Sequence, residues 1–368
     1  MKYLFDLTAL ADNFSGIERF ALCISSEFIR QFPENEYILM FKEQIHEAYQ
    51  EIAAQENVKC VVLPRKNKLL FNQILLPMSL YRQKADAYVF LAFPDPLLFF
   101  SRKVYTAIHD TCCWDCGETM ATMSKWYFRI SQLHSMRFCR KIITISEFSK
   151  GRIKAIGRIS GQKIAILYCG IGGQFTPKRS EHLTRERYGL PQEYLLTLST
   201  LEPRKNLTLL LDVYAQLIEE GKTLPPLVLA GRKGWKMKNL LDNYSQRVKD
   251  SLIFTGFIED EDLPAVYCGA KWFIFPTKYE GFGIPPLEAM ACGTPVISSD
   301  ATSLPEVLGD AAMYFESEDP ESLKKCILDA LSLSDTDYQS RIAPGVDRAA
   351  AFNWAKEARK LDVICNRV

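Results

Sequence analysis

The stretch EGFGIPPLEAMACGTPVISSD occupies residues 280–300 and is the part of the sequence from which the fold is best predicted. Within it, Glu280 and Glu288 are separated by seven residues, the first six of which are Gly-Phe-Gly-Ile-Pro-Pro. The apolar run Trp272–Phe275 before it is typical of a buried strand. Glycine permits backbone conformations that other residues avoid, and proline fits the first turn of a helix. The stretch therefore predicts a loop that carries Glu280 beyond a strand, followed by a helix that carries Glu288.

Both glutamates have a functional interpretation and a plain one. A carboxylate at a strand–helix junction can accept the two hydroxyls of a ribose, as acidic residues do in dinucleotide-binding folds. We expect Glu288 to lie in the first turns of its helix, near free amides and the positive end of the helix dipole. The plain alternative is a turn and a helix start with favourably placed acidic residues.

Strands and helices alternate along the whole chain. Amphipathic stretches such as Ile17–Gln31 and Ser124–Arg140 predict helices between short apolar runs. The predicted strands are residues 3–7, 37–41, 58–63, 87–93, 103–108, 141–145 and 165–167, and then 194–199, 227–230, 252–255, 272–275 and 295–298. Because such alternation is typical of parallel sheets, we predict an α/β fold of two doubly wound, Rossmann-like domains that face a central cleft.

A boundary between the two domains is predicted near residue 175. At 368 residues the chain is longer than one hydrophobic core usually organises. GIGGQFTP (Gly170–Pro177) and the charged run Lys178–Arg187 have the composition of a linker. We therefore predict an N-terminal, acceptor-side domain of residues 1–175 and a C-terminal, donor-binding domain of residues 176–352. A last helix, over about residues 353–368, is expected to pack back on the first domain.

The composition, 48% hydrophobic and 24% charged, is that of an ordinary globular protein. No apolar run reaches the length of a membrane span, and MKYLFDL at the start lacks the features of a signal peptide. Eleven cysteines, an odd number, favour reduced thiols, so a cytoplasmic location is expected. The net charge of +1 hides an asymmetry: 24 Lys/Arg against 16 Asp/Glu in residues 1–180, and 21 against 28 in the rest.

The segment LSTLEPRKNLTLLLDVY, residues 198–214, predicts an anion site. Arg204 and Lys205 follow a predicted strand, and Asn206 is placed to cap the helix that comes next. Two cations beside the amides of a helix start suit a diphosphate. We expect both residues to lie on a solvent-facing cleft. A solvated loop with a helix cap is the plain alternative.

Two segments of the first half carry weaker signals. In GIERF, Gly16 at a strand-to-helix turn permits a phosphate or sugar to approach the backbone, although an ordinary turn fits as well. In IHD, His109 is placed to bond a substrate hydroxyl while Asp110 orients the ring. A structural histidine is the alternative.

Taken together, these segments resemble the retaining glycosyltransferases of family 4, which have the two-domain GT-B fold. The resemblance rests on EPRKN at 202–206, YEGFGIPPLEAMACGTPVI at 279–297 and SLPEV at 303–307, with TISEFSK at 144–150 and TGF at 255–257 in the family's order. It implies transfer of a sugar from a nucleoside-diphosphate sugar to a glycan or lipid-linked glycan acceptor, as in bacterial surface-polysaccharide synthesis. It implies no cofactor, no metal ion and no nucleic-acid partner.

The resemblance also assigns roles to residues. Arg204 and Lys205 would bind the diphosphate, and Glu288 the ribose hydroxyls. Glu280 would bind the donor sugar, and His109 would contact that sugar from the N-terminal domain. The remaining donor-binding residues that it implies are Gly16, Ser199, Gly256, Phe257, Ile258, Gly281, Phe282, Gly283 and Ile284.

Some features depart from the family or leave other functions open. Ser199 stands where glycine is often found, and Glu18 where a small residue is common. Asp260-Glu261-Asp262 has the Asp-x-Asp pattern that marks metal binding in other glycosyltransferases, but we interpret it as helix capping and solvated charge. A nucleotide-sugar epimerase of the same fold and an inactive sugar-binding partner subunit are the alternative functions.

Two basic segments of the first half, residues 65–84 and 125–141, also contain aromatic and aliphatic residues. Ordinary helices with solvated cations are one interpretation, and a peripheral surface for anionic lipid is the other. The basic residues are Arg65, Lys66, Lys68, Arg82, Lys84, Lys125, Arg129, Arg137, Arg140 and Lys141. The apolar residues considered for shallow insertion are Leu69, Leu70, Phe71, Trp126, Tyr127 and Phe128.

Overall fold

The computed structural model describes residues 1–10, 16–177, 182–200, 202–231 and 241–366, without the side chains of Lys68, His182 and Leu183. The chain divides into two compact units. The first unit combines Met1–Gly170 with Asn353–Val368, and the second is Ile171–Phe352.

The first unit is built on a seven-stranded sheet in the order β3-β2-β1-β4-β5-β6-β7. All neighbouring strands are parallel, and Phe5 of β1 lies opposite Leu39 of β2 and Val89 of β4. The order reverses between β1 and β4, which is where such sheets open a ligand crevice beyond their carboxyl ends. The strands are β1 (Lys2–Asp6), β2 (Glu36–Lys42), β3 (Val58–Leu63), β4 (Ala87–Phe90), β5 (Val104–Ala107), β6 (Lys141–Thr144) and β7 (Ile164–Ile166).

Helices cover this sheet through apolar faces, as α1 does with Phe20, Ile24 and Phe28 at helical spacing. A π-helical turn, Phe71–Leu75, joins α3 to α4, so residues 68–82 form one continuous helix. The helices are α1 (Gly16–Gln31), α2 (Gln50–Ala53), α3 (Lys68–Leu70), α4 (Leu76–Arg82), α5 (Cys112–Asp115), α6 (Thr122–Phe138) and α7 (Glu147–Gly157).

The second unit has a six-stranded, parallel sheet in the order β10-β9-β8-β11-β12-β13. Its switch point lies between β8 and β11, where Phe273 pairs with Leu196. The loops that follow these two strands are therefore neighbours. The strands are β8 (Leu195–Leu198), β9 (Leu227–Ala230), β10 (Leu252–Gly256), β11 (Trp272–Phe275), β12 (Val296–Ser299) and β13 (Ala312–Phe315).

The helices of the second unit are α8 (His182–Tyr188), α9 (Leu207–Glu219), α10 (Gln246–Lys249), α11 (Leu263–Gly269), α12 (Ile284–Ala291), α13 (Leu304–Leu308), α14 (Pro320–Leu331), α15 (Asp335–Ser340) and α16 (Ile342–Ala350). The last helix, α17 (Trp354–Asn366), belongs to the first unit and packs on α1. There Gln31 Nε2 donates to the Ala355 carbonyl at 3.1 Å, and the Tyr105 hydroxyl donates to the Cys365 carbonyl at 3.1 Å.

The predicted class, two parallel α/β sheets of Rossmann type, is confirmed. Every predicted strand is present within three residues at either end. The prediction missed β13, a four-residue edge strand of sequence Ala-Met-Tyr-Phe with two half-buried positions. It was also wrong in part of the linker, since α8 covers residues 182–187 of the run 178–187 and continues to Tyr188. Residues 178–181 lie outside the described residues.

No helix in the described part of the chain combines the length and apolar character needed to span a membrane.

Candidate functional site

The loops after β8 and β11 contact each other at the switch point of the second sheet. The Lys278 amide donates to the Arg204 carbonyl at 2.9 Å, and the Thr277 hydroxyl oxygen lies 3.2 Å from the same carbonyl oxygen. Parallel strands present their carboxyl ends at one edge, and ligands of doubly wound sheets bind there. The sequence places the cation pair on one of these loops and Glu280 on the other.

The loop after β8 forms a short 3₁₀ turn, Pro203–Lys205, before α9 begins. Asn206 ends that turn with a left-handed backbone, at a φ of 55°. Asparagine tolerates this conformation better than most residues, which explains its presence here. The prediction that the Asn206 side chain caps α9 is wrong, because it makes no capping hydrogen bond.

A compact ionic cluster joins the two loops. Lys205 Nζ lies 2.5 Å from Glu280 Oε1, and Arg204 Nη1 lies 3.3 Å from Glu280 Oε2. Arg204 also donates to Glu202 Oε1 at 2.8 Å and to the Tyr279 carbonyl at 2.9 Å. Two cations therefore face two carboxylates, so that the formal charges of the cluster cancel.

The cluster is largely buried, and the two cations keep only a small exposed fraction. The exposed fractions of the side chains are 20% for Arg204, 13% for Lys205 and 11% for Glu280. Burial lowers the pKa of Lys205 from its ordinary value, although the Glu280 carboxylate acts against this. For Glu280, burial acts to raise the pKa, but Lys205 and Arg204 outweigh it and hold that pKa below the ordinary value. Glu280 is therefore ionised at neutral pH.

The backbone of Glu280 is held by side chains that sequence reasoning missed. The Thr302 hydroxyl accepts from the Glu280 amide at 3.0 Å and donates to the Glu280 carbonyl at 2.9 Å. Ser303 Oγ donates to the carbonyls of Glu280, at 3.0 Å, and Phe282, at 3.2 Å. Thr302 has a φ of 54°, a strained conformation for a β-branched residue. The only signal in the sequence was the position of these residues at the SLPEV motif.

The carboxylate of Glu280 has a further partner in Thr277, whose hydroxyl donates to Glu280 Oε1 at 3.0 Å. Gly283 adopts a φ of +100°, and a Cβ on it would lie 2.6 Å from Leu304 Cδ2. Glycine is therefore required at residue 283, as the sequence indicated. Gly281 is buried in the same turn.

Glu288 is the fifth residue of α12 and is only 4% exposed. Its Oε2 accepts a hydrogen bond from the Tyr267 hydroxyl at 2.9 Å. Glu288 therefore lies in the second turn of α12, within the first turns of the helix as predicted, although the first turn itself contains no acidic residue. Sequence reasoning also missed Tyr267, which lies on α11 and carries no motif.

The remaining candidate residues of the second unit differ in burial and in the strand that they follow or end. Phe282 is buried, and the centroids of its ring and the Phe352 ring are 5.4 Å apart. Ile284 is the first residue of α12 and is half-buried. Ser199 follows β8 directly, and its buried hydroxyl has no hydrogen-bond partner among the described residues. Gly256, with a φ of +73°, ends β10, two strand positions or about 10 Å from β8.

The two residues after Gly256 differ in exposure. Phe257 exposes 43% of its surface, and Ile258 is buried.

In the first unit, His109 is a buried and neutral histidine. Its Nε2 lies 2.8 Å from the Leu91 carbonyl, so this nitrogen carries a proton and donates it. Burial lowers the pKa of His109, and its ring packs perpendicular to the Phe20 ring, with the ring centroids 5.0 Å apart. Asp110 instead accepts from the Cys112 amide at 2.9 Å, so the expectation that Asp110 orients the ring is wrong. Gly16 is the exposed first residue of α1, the helix that carries Phe20.

The acidic Asp-x-Asp pattern serves packing. Asp262 accepts from Arg187 Nη1 and the Tyr188 hydroxyl, both at 2.8 Å, and from Thr184 at 3.3 Å. It precedes α11 but makes no capping bond, so that part of the prediction is wrong. Within the described ranges, no group of three or more His, Cys, Asp or Glu residues is placed to hold a metal ion.

Comparison with known proteins gives concordant results. Residues 180–344 match the family model described as glycosyl transferases group 1. O-antigen chain mannosyltransferase B of Escherichia coli is 33% identical over 256 residues, which cover 68% of this chain and 67% of that protein. Serotype-specific mannosyltransferase WbdA of Escherichia coli is 33% identical over 228 residues, which cover 61% of this chain and 27% of WbdA.

Solved structures share the fold over the full chain. The glycosyltransferase WaaG, involved in lipopolysaccharide biosynthesis, superimposes with a TM-score of 0.75 at 16% identity and covers 100% of both chains. Anabaena Alr3699/HepE in complex with UDP and glucose has a TM-score of 0.74 at 16% identity, again over 100% of both chains.

Proposed function

Since this chain belongs to the group 1 glycosyltransferase family and has the GT-B fold, we propose that it transfers mannose from a nucleoside-diphosphate sugar to a growing glycan. We further propose that the reaction retains the anomeric configuration and needs no metal ion. The ionic cluster of Arg204, Lys205 and Glu280 is the observation that carries this proposal. The O-antigen mannosyltransferases among the relatives support mannose as the sugar.

The cluster suits the charge that develops in sugar transfer. Cleavage of the bond between the anomeric carbon and the phosphate oxygen leaves the electron pair, and hence extra negative charge, on the nucleoside diphosphate. Arg204 and Lys205 would stabilise that leaving group as it forms, a contribution worth several kcal/mol. This is the role that a divalent metal ion plays in other sites.

Donor binding would rearrange the cluster. In the free protein Lys205 pairs with Glu280 and Arg204 with Glu202, so each cation already has a carboxylate partner. A diphosphate offers these cations stronger, doubly charged partners, and Glu280 would then turn its acceptor oxygens to the hydroxyls of the donor sugar. Thr302 and Ser303 keep the backbone of Glu280 in place during this exchange.

The other proposed donor contacts follow the layout of the sheet. Glu288, held by Tyr267, is assigned to the ribose hydroxyls, and the segment 256–258 beyond β10 to the base. Ser199 is assigned to the diphosphate, and the turn from Gly281 to Ile284 to the sugar and phosphate. On the family resemblance, His109 and Gly16 of the first unit are assigned to the donor sugar.

A transfer assay tests the proposed reaction. The full-length protein is incubated with GDP-mannose and mannose-containing glycan acceptors, with UDP-glucose as the competing donor, and products are identified by mass spectrometry and NMR. We expect an α-mannosyl product from the α-configured donor, and a rate within about twofold of the untreated value in excess EDTA.

Three results would contradict parts of this proposal. A β-mannosyl product would exclude retention. If EDTA abolished mannose transfer and magnesium or manganese restored it, Arg204 and Lys205 would not be replacing a metal ion. Transfer from UDP-glucose but not from GDP-mannose would overturn the assignment of the sugar.

A surface of the first unit supports the proposal that the enzyme works at an anionic membrane, at the cytoplasmic side. Of the large hydrophobic residues that the described chain exposes, most lie between residues 69 and 138. We call the following set the apolar face: Leu69, Leu70, Ile74, Met78 and Tyr81 of the helix 68–82, Phe93, Leu98 and Phe100 of the loop after β4, and Met123, Trp126, Ile130, Leu133 and Phe138 of α6.

The three parts of the apolar face contact one another. The Tyr81 hydroxyl donates to the Leu98 carbonyl at 3.3 Å and accepts from the Phe100 amide at 2.8 Å. The Phe100 ring meets the Phe138 ring at 5.3 Å. Of the six apolar residues that the sequence suggested for shallow insertion, three are exposed: Leu69, Leu70 and Trp126. The other three are not available, since Phe71 is buried and Tyr127 and Phe128 are half-buried.

Charge favours an anionic bilayer as the occupant of this face. The stretches 64–84 and 119–141 contain no Asp or Glu, and Arg65, Lys66, Arg82 and Arg137 are exposed cations within them. The side chain of Lys68 lies outside the described residues. Each cation near an anionic surface contributes about 1 kcal/mol, and this contribution is screened by salt.

Vesicle sedimentation measures this association. We expect the protein to pellet with phosphatidylglycerol vesicles in about 50 mM salt, to pellet much less in about 500 mM, and to stay in solution with neutral vesicles. The double variant Met123→Ser/Trp126→Ser should bind several-fold more weakly, whereas the binding of Val363→Ser, an exposed apolar control on α17, should not change. Equal binding by the double variant, or no binding at low salt, would contradict the proposal.

A further inference from the structure

Two cysteine side chains that the proposed mechanism does not use lie against each other in the second unit. Cys268 is the sixth residue of α11, and Cys292 follows the last residue of α12. Cys268 Sγ lies 3.4 Å from the Cys292 carbonyl oxygen and 3.5 Å from the Thr176 carbonyl oxygen. A hydrogen bond from the Cys268 thiol, together with burial, raises the pKa of Cys292. The two sulfur atoms are therefore within hydrogen-bonding range of each other.

Hydrogen bonds hold the two segments that carry these cysteines side by side. The Thr294 hydroxyl donates to the Tyr267 carbonyl at 2.6 Å, and the Tyr267 hydroxyl donates to Glu288 Oε2 at 2.9 Å. Both cysteines are at the ends of their helices, where the backbone moves more easily than in the middle. A disulfide requires β-carbons about 3.8 Å apart and sulfurs about 2.05 Å apart. Thiols that already touch reach this geometry through a small shift of the helix ends.

The two thiols differ in their access to solvent. Cys268 is half-buried, whereas Cys292 is only 3% exposed. A small oxidant therefore reaches the Cys268 sulfur first, and the Cys292 sulfur is in place to react with the product. An accessible cysteine beside a second, resolving cysteine is typical of redox-sensing thiols. The raised pKa of Cys292 keeps its thiol protonated at neutral pH, so the pair responds to an excess of oxidant and not to traces of it.

We propose that Cys268 and Cys292 form a modification site at which a hydroperoxide joins the two sulfurs in a disulfide and thereby weakens nucleotide binding. With hydrogen peroxide, the Cys268 sulfur attacks one oxygen, the oxygen–oxygen bond breaks, and a sulfenic acid and one water are formed. The Cys292 sulfur then attacks the Cys268 sulfur, and the sulfur–oxygen bond breaks. The oxygen leaves with the Cys292 proton as a second water. In total the two sulfurs lose two electrons and one peroxide is reduced.

The disulfide acts on the candidate site through Tyr267 and Glu288. Tyr267 directly precedes Cys268, and Glu288 lies one helical turn before Cys292. Bond formation draws the two sulfurs together by more than about 1 Å, which shifts Tyr267 relative to Glu288. Their hydrogen bond of 2.9 Å does not survive a shift of this size, so the Glu288 carboxylate loses the partner that orients it. This consequence rests on the proposed function, in which Glu288 binds the ribose hydroxyls.

Peptide mapping detects the disulfide without any assay of function. The full-length, reduced protein is treated with hydrogen peroxide, the remaining thiols are blocked, and tryptic peptides are identified by mass spectrometry. Lys271 and Lys278 place the two cysteines on different tryptic peptides. We expect a peptide pair linked through Cys268 and Cys292 that disappears after treatment with dithiothreitol. The control Cys60→Ser removes a half-buried thiol of the first unit and should form the same linked pair. Absence of the linked pair from the unaltered protein would overturn the inference.

Calorimetry with GDP measures the effect on nucleotide binding. The oxidised protein is expected to bind GDP at least about tenfold more weakly than the reduced protein, and dithiothreitol should restore the affinity. Cys268→Ser cannot form the bond, so its GDP affinity should stay at the reduced value after peroxide treatment. Equal affinity in the two states of the unaltered protein, or an equal loss in Cys268→Ser, would overturn the inference. Failure of the mannose-transfer assay alone would refute the proposed function and leave these results standing.

Discussion

Turnover by the Lys205→Ala variant is expected to fall by roughly 10²–10³-fold, the loss typical of removing one transition-state donor. Lys205 Nζ lies 2.5 Å from Glu280 and is the more buried of the two cations at the β8–β11 switch point. Without it, the charge that forms on the leaving diphosphate has only Arg204 as a cationic partner in the cluster. Turnover with GDP-mannose at saturating acceptor measures the effect.

A neighbouring lysine provides the control for this change. Lys278 lies on the β11 loop, is exposed, and pairs with Glu318. Lys278→Ala removes the same charge near the site and should keep turnover within about twofold. Arg204→Ala should resemble Lys205→Ala. Near-normal turnover in both cluster variants would refute the diphosphate assignment.

The Glu280→Gln variant is expected to lose roughly 10²-fold in turnover and about 3 kcal/mol in free energy of unfolding. The activity falls because Glu280 would hold the donor sugar. The stability falls because Lys205 keeps its buried charge without a matching carboxylate, and an unpaired buried charge is costly. Urea unfolding monitored by tryptophan fluorescence measures the change.

The stability difference should depend on pH in a defined direction. The pKa of Glu280 is lower in the folded protein than its ordinary value, so its stabilising effect is complete above the unfolded pKa. The effect disappears as pH falls through the lower, folded value. The difference in free energy of unfolding between the unaltered protein and Glu280→Gln should therefore be constant from pH 7 to about 5.5 and shrink below about 4.5.

Two variants separate the buried pair from general charge effects. Glu318→Gln breaks an exposed pair with Lys278 and should change the free energy of unfolding by less than about 1 kcal/mol. The double variant Lys205→Ala/Glu280→Gln should lose less stability than the sum of the two single changes, because the first removes the charge that the second leaves unpaired. Additive losses would show that the two side chains do not stabilise each other.

The fold could be predicted from the sequence because its signals are local. The apolar runs at 58–63, 227–230 and 272–275 coincide with strands, and the start of α9 at Leu207 was also predicted. Strand–helix alternation then fixes parallel sheets, since a parallel connection needs a crossover helix. The four-residue edge strand β13, Ala-Met-Tyr-Phe, was missed because an apolar run this short does not distinguish a strand from a segment of a buried helix.

The sequence also determined which loops meet at the candidate site and which of their residues do so, but not the contacts that those residues make. Arg204, Lys205 and Glu280 each follow a strand, and carboxyl ends of neighbouring parallel strands share one edge of the sheet. The sequence does not show which atoms pair there. The hydrogen bond between the Thr302 hydroxyl and the Glu280 amide, and the one from the Tyr267 hydroxyl to Glu288, could not be predicted. Each joins residues from different parts of the chain, and the sequence around Thr302 and Tyr267 does not indicate which partner they have.

What only the tertiary structure decided is which polar groups are buried and which apolar groups are not. Helical spacing in α6 predicts an apolar stripe, yet Met123, Trp126 and Ile130 are exposed, while the charged side chains of Lys205 and Glu280 are largely covered. Periodicity in a sequence indicates which residues share one face of a helix or strand. Whether that face is covered depends on contacts between elements far apart in the chain, and the free energy of those contacts is set by the packed structure as a whole.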